Sequence, residues 1–186
     1  MPSVKQQRVE ESRAWKVSIF GDLTITYRST TLSPFSNRKV AQLLLLLASK
    51  ANRPISRDFV AETLWPGEYL EIAKDRLRQT LSLLNKHFKD LGSESPIVAT
   101  RTTICLPTSD CEVDLVEFHN LLHQASSEPR SLIEAIKMAE NPIGEGFVED
   151  WIRDIRESTI ATALLKLRSA IEGLKEQGDL ETCLQV

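Results

Sequence analysis

Cysteine is scarce: Cys105, Cys111 and Cys183 are the only three in 186 residues. None stands in a C-x-x-C spacing, and any pairing leaves one over. That pattern argues against a disulfide framework or a structural zinc site and fits buried thiols in a reducing cytosol. Long apolar runs are missing too. The longest leucine stretch, Leu43–Leu47, is far too short to span a bilayer. The first fifteen residues, MPSVKQQRVEESRAW, have no apolar core and do not form a secretory signal. No Gly-rich phosphate loop, G-x-S-x-G elbow or H-E-x-x-H motif occurs. His119 and His123 lie four apart, as a metal pair would, but no Cys or carboxylate cluster is placed to complete a zinc site. Glu149-Asp150 are adjacent, hence splayed, and read as a solvated helix start. The expectation is a cytoplasmic, non-membrane protein that is not an enzyme and carries no metal or cofactor. Its 41% hydrophobic content is enough for a real core.

Charge divides the chain. Residues 1–110 hold 16 Lys and Arg against 11 Asp and Glu, a net of +5, whereas residues 111–186 hold 7 against 15, a net of −8. A basic half joined to an acidic half implies that one of them meets phosphate.

Residues 1–14 are polar and aperiodic and read as a mobile leader. Trp15–Phe20 alternates as a strand, Gly21-Asp22 is a turn signal, and Leu23–Tyr27 is its hairpin partner. After Thr31-Leu32 and the break at Ser33-Pro34, Ser36 or Asn37 can cap a helix over Arg38–Ser49 with nearly all its leucines buried. Ser56 caps a second helix whose inner face is Phe59, Val60 and Leu64. Trp65-Pro66-Gly67 ends it. The spacing predicts a third helix over Ala73–Leu91, with Ala73, Leu77, Leu81, Leu84, Phe88 and Leu91 on one apolar stripe. The opposite face holds Asp75, Gln79, Ser82 and Lys86, flanked by Arg76, Arg78 and Leu83. Ile97–Arg101 and Ile104–Leu106 then form a small hairpin, a wing. Residues 15–110 thus read as one α+β domain with a winged helix-turn-helix order.

From Cys111 the pattern turns to nearly all helix. Val113, Leu115, Phe118, Leu121 and Leu122 keep helical spacing. Ser127-Glu128-Pro129 is a start signal. A long helix is expected over Phe147–Gln177, with Leu164, Leu167, Ile171 and Leu174 as a partner-facing seam. Gly178-Asp179 stops it, and Leu180–Val186 reads as a further helix cut short. Residues 111–186 therefore read as an all-α, antiparallel helical repeat array, incomplete at its C-terminal end.

Phe20-Gly21-Asp22-Leu23, Arg38-Lys39, Pro54-Ile55-Ser56-Arg57, Leu64-Trp65-Pro66 and Leu77-Arg78-Gln79-Thr80-Leu81-Ser82 follow one another in order. The series resembles the OmpR-type winged helix of the SARP-type bacterial transcriptional activators. Val113-Asp114 with Phe118, and Gly146-Phe147 with Trp151 and Arg156, resemble the start of the tetratricopeptide-like bacterial transcriptional activator domain of the same family. Leu83 stands where the family usually has Arg, and Thr103-Ile104 where the wing turn often has Gly-Tyr. The resemblance implies a transcriptional activator that binds double-stranded DNA at direct repeats as a homodimer and contacts RNA polymerase.

Chemistry divides the DNA contacts. Arg76 and Gln79 are the expected base-edge readers, for guanine and adenine respectively, with Ser82 on the same face. Leu83 either touches a thymine methyl or packs beside Leu84. Lys74, Lys86, Ser56 and Arg57 are placed for phosphates. Arg101, with Thr102 on the wing, is placed for the minor groove. By resemblance the loop of Trp65, Gly67, Glu68 and Tyr69 faces RNA polymerase, although Trp65 could equally plug the core. The competing reading is a helical protein-interaction module whose winged helix no longer reads DNA.

Overall fold

The computed structural model describes residues 15–125 and 129–177. The leader expected over 1–14, the start signal at Ser127-Glu128 and the segment from Gly178 to Val186 lie outside the described residues.

Alternation builds the first sheet. In β1 (Trp15–Ser18) and β2 (Thr24–Tyr27), Trp15, Val17 and Ile25 are buried while Lys16 is exposed. The two strands pair antiparallel, Val17 opposite Ile25, and β3 (Thr30–Leu32) extends the sheet beyond β2. Asn37 then caps α1 (Arg38–Ser49) by accepting from the Lys39 and Val40 N–H groups, which satisfies two of the amides a helix start leaves open. Every residue from Val40 to Ala48 is buried.

A two-residue strand, β4 (Ile55–Ser56), precedes α2 (Arg57–Leu64), and the Ser56 hydroxyl caps that helix at Phe59 N, 3.1 Å away. The inner face of α2 differs from expectation. Val60, Ala61 and Leu64 are buried, but Phe59 is 46% exposed. Residues one apart sit about 100° apart on a helix, so a stripe centred on Ala61 and Leu64 turns Phe59 outward. The long helix α3 spans Leu70–Asp90, starting three residues earlier than its apolar stripe suggests. Ala73, Leu77, Thr80, Leu81, Leu84 and Phe88 form its buried side, and Trp15 meets Phe88 edge-on at 4.9 Å. The hairpin β5 (Val98–Ala99) and β6 (Thr103–Cys105) is joined by β4 into a second sheet of order β4-β6-β5.

The acidic half does not open as a helix. Cys111–Val113 is a strand, β7, laid parallel to β1 so that the first sheet runs β3-β2-β1-β7. Helices α4 (Asp114–Gln124), α5 (Pro129–Ala139) and α6 (Asp150–Gln177) follow. The Asp114 carboxylate accepts from the Ile19 and Phe20 N–H groups at 2.8 and 3.0 Å. The turn before α6 is stitched to the β1–β2 loop, Gly144 N to Ile19 O at 2.7 Å and Glu145 N to Gly21 O at 3.0 Å. Glycine suits this position: its φ is +58°, where an L side chain is strained, and a Cβ would lie 2.3 Å from the Leu45 Cδ1 of α1, which would have to shift,. Arg156 locks the same turn from α6, donating to the carbonyls of Ile143, Gly144 and Phe147.

Two further expectations change. Glu149 is not a solvated helix start; it accepts a fork from Arg38 of α1 at 3.1 and 3.2 Å and a bond from the buried Gln42 amide. Burial pulls its carboxyl upward, but its own N–H, Arg38 and the Val148 N–H together hold it below the usual carboxylate range,. The seam on α6 is only partly packed. Leu167 packs against the core, while Leu164 is 59% exposed and the side chains of Ile171 and Leu174 lie outside the described residues.

Candidate nucleic-acid interface

Burying one side of α3 fixes what the other side offers. Asp75, Arg76, Arg78, Gln79, Ser82, Leu83 and Lys86 are all exposed. Leu83, at 44% exposure, is turned outward rather than packed beside Leu84. Alongside this face lies the β5–β6 hairpin. Its tip is closed by the Thr100 hydroxyl, which accepts from the Thr102 and Thr103 N–H groups. Arg57, at the first turn of α2, ties the hairpin to the helices: its Nε donates to Thr100 O at 2.9 Å and its backbone N–H to Thr102 O at 2.8 Å.

Two open grooves result. One, of about 860 Å³, runs between the start of α2, α3 and the hairpin, and Ser56, Arg57, Lys74, Arg78, Arg101 and Thr102 line it along with Asp58 and Glu71. The second, of about 530 Å³, continues along α3 past Arg57, Arg78, Ser82, Asn85, Lys86 and Lys89. The structure thus brings together seven of the residues expected from sequence, Ser56, Arg57, Lys74, Ser82, Lys86, Arg101 and Thr102. It leaves Arg76, Gln79 and Leu83 outside both grooves, farther round the exposed face of α3.

Sequence reasoning passed over Arg78, Asn85 and Lys89 as contacts. Arg78 shares both grooves, and Lys89 lies eleven residues on, three helical turns away on the same side,. That eleven-residue spacing was the available signal.

Several of these cations already have partners. Lys74 pairs with Asp58 at 3.0 Å and Glu71 at 3.3 Å, and its hydrogen bond to Asp58 is the main cause raising its pKa. Arg76 pairs with Glu68, Arg78 with Asp75, and Lys89 with Glu94. Lys86 and Arg101 have no ion pair among the described residues.

The loop after α2 divides in two. Trp65 is buried and plugs the core, with the Lys39 ammonium 5.6 Å from its ring centre and bonded to Leu64 O. Burial lowers the pKa of Lys39. Gly67, Glu68 and Tyr69 are exposed, Tyr69 at 83%. Phe59 and Ile72, also exposed, come from the two helices that the loop joins. His119 and His123 are both exposed on α4. No described helix is long and apolar enough to cross a membrane.

No family model and no curated protein matches the chain. Among solved structures it is similar to EmbR of Mycobacterium tuberculosis, determined in complex with a low-affinity phosphopeptide, with a TM-score of 0.71 and 20% sequence identity. The match covers 89% of this chain and 46% of that one, so this chain spans about half the length of its neighbour. At that identity the likeness is one of fold.

Proposed function

We propose that the protein is a sequence-specific DNA-binding transcription regulator, with residues 15–110 acting as a winged helix and 111–186 as a tetratricopeptide-like effector region. The observation that carries this is the convergence of Arg57, Arg78, Lys86, Lys89 and Arg101 on the grooves between the bare face of α3 and the hairpin. A helix of this width fits a major groove, and a hairpin beside it reaches the neighbouring minor groove. The resident ion pairs do not oppose the reading. Arg78 and Asp75 are each 64% exposed, and exposed pairs are worth about 0–1 kcal/mol, so a phosphate or guanine edge can take the arginine over.

In this reading Gln79 and Arg76, together with Arg78, read base edges, Ser82 and Leu83 meet neighbouring bases, and Lys74, Lys86, Ser56 and Arg57 hold phosphates. Arg101 and Thr102 enter the minor groove. The exposed Gly67-Glu68-Tyr69 loop, with Phe59 and Ile72, is the surface offered to RNA polymerase in an activator bound as a homodimer to direct repeats in the cytoplasm. Selection of bound DNA from a random pool tests the class. Enrichment of a repeated motif is expected, and an unenriched pool overturns the reading.

A helical protein-interaction module is the second reading. The exposed Ile160, Leu164 and Leu165 of α6 favour it. It gains if the pool stays unenriched.

A further inference from the structure

Away from the DNA face, a cleft of about 260 Å³ opens where the end of α1 meets α4 and α6. Its floor is apolar, made by Leu115, Val116 and Ile155. Its rim carries Lys50 and Arg53 from the turn after α1, His119 from α4, and Ser158, Thr159 and Thr162 from α6. Among the described residues no acidic side chain lines it. Lys50 and Arg53 have no ion pair among the described residues, although many of the other cations have found one. Two cations facing one hollow without a counter-charge among the described residues repel one another, and an anion relieves that.

A hydroxyl points the same way. Thr159 is 7% exposed and lines the cleft, and its side chain has no hydrogen-bond partner among the described residues. Its helix neighbours Ser158 and Thr162 each donate back to a carbonyl one turn earlier, Ile155 O at 3.0 Å and Ser158 O at 2.8 Å. The Thr159 hydroxyl itself is not fully buried, and it is free to donate to a ligand oxygen in the cleft that Thr159 lines.

We propose that this cleft binds a small phosphomonoester, its phosphate held by Arg53, Lys50 and the Thr159 hydroxyl with His119 at the rim, and its organic body on the Leu115–Ile155 floor. A phosphomonoester suits the donors: it brings close to two negative charges and several acceptor oxygens. The cleft holds a small molecule and no more. Its walls come from both halves of the chain, so the ligand bridges α1, which packs under the DNA face, to α6 of the acidic half. A bound ligand stabilises the state that holds it, so occupancy fastens the two halves together.

The test is thermal and calorimetric titration of the full chain with inorganic phosphate and then with small sugar phosphates, at constant ionic strength, with chloride as the control. Saturable binding is expected, tighter for the sugar phosphates than for phosphate alone. Arg53→Gln should weaken it about tenfold or more, as loss of a charge-assisted contact does. Thr159→Val should weaken it by a smaller factor. Arg101→Gln, on the hairpin, should leave it unchanged. The proposal is overturned if chloride protects equally, if nothing saturates, or if Arg101→Gln loses binding while Arg53→Gln keeps it. The last result would put the phosphate on the DNA face.

Discussion

Helices α1 and α3 look alike as sequence, both rich in leucine and cation-flanked, yet the fold uses them in opposite ways. In α1 nine consecutive residues, Val40 to Ala48, are buried. Sheet, helices and the Gly144 turn close around it on every side. In α3 burial is confined to a stripe, and the other face is bare for most of 21 residues. A helix covered all round is a post that holds both halves of the chain. A helix covered on one side is a surface held out for something else. Substitutions in α1 should therefore be read in stability, and substitutions on the outer face of α3 in binding.

The largest effect belongs to the post. Leu44→Ala removes a fully buried side chain and should cost about 2–5 kcal/mol in urea unfolding. Leu84→Ala, equally buried in α3, should cost a similar amount. If Leu84→Ala were nearly silent, the inner stripe of α3 would not be core and the contrast would fail.

Next comes the joint between the halves. Asp114→Ala strands the buried Ile19 amide and the half-buried Phe20 amide and should cost about 1–3 kcal/mol,. Asp114→Asn keeps an acceptor and should cost less. Burial holds the Asp114 carboxyl above its usual 3.8, outweighing the N–H groups of Phe20, Ile19 and Leu115 and the charge of Lys16. The folded chain therefore binds this proton more tightly than the unfolded one. Its contribution to stability is complete below the ordinary aspartate pKa and falls away as pH rises through the raised value. Unfolding followed from pH 3 upward should show that decline in the wild type, and Asp114→Asn should remove it.

The smaller effects sharpen the bare face. Gln79→Ala should cost about 1–3 kcal/mol of affinity on the selected DNA and little on random DNA. Its melting temperature should barely move. Lys86→Ala should weaken both DNAs alike and lower the salt slope by about one, measured by fluorescence anisotropy across a salt series. Equal loss on both DNAs for Gln79→Ala would demote it from reader to positioning contact, leaving the groove pair Arg78 and Asn85 as the better candidates.

Much of this architecture was legible before folding because its signals are local. Asn37 and Ser56 each cap the helix they precede. The period of Leu77, Leu81, Leu84 and Phe88 fixes which side of α3 is buried, and with it the exposed set from Asp75 to Lys86,. The choice within that set was not legible. Whether Arg76 or Arg78 shares a groove with the hairpin depends on where the hairpin docks, and the Arg57 bonds to Thr100 and Thr102 settle that across more than forty residues.

By itself, then, the sequence determined the first hairpin, the main helices and their order, the buried stripe of α3 and the split of charge at about residue 110, but not the strand at Cys111–Val113. Each follows from neighbours within one or two turns. Tertiary structure alone decided how the halves are joined. Val113 pairs with Val17, Asp114 caps the end of β1 from 95 residues away, and Glu149 receives Arg38 across 111. A carboxylate carries no local mark of whether solvent or a distant amide will meet it. The cleft of Lys50, Arg53, His119 and Thr159 likewise exists only where three helices remote in the chain converge.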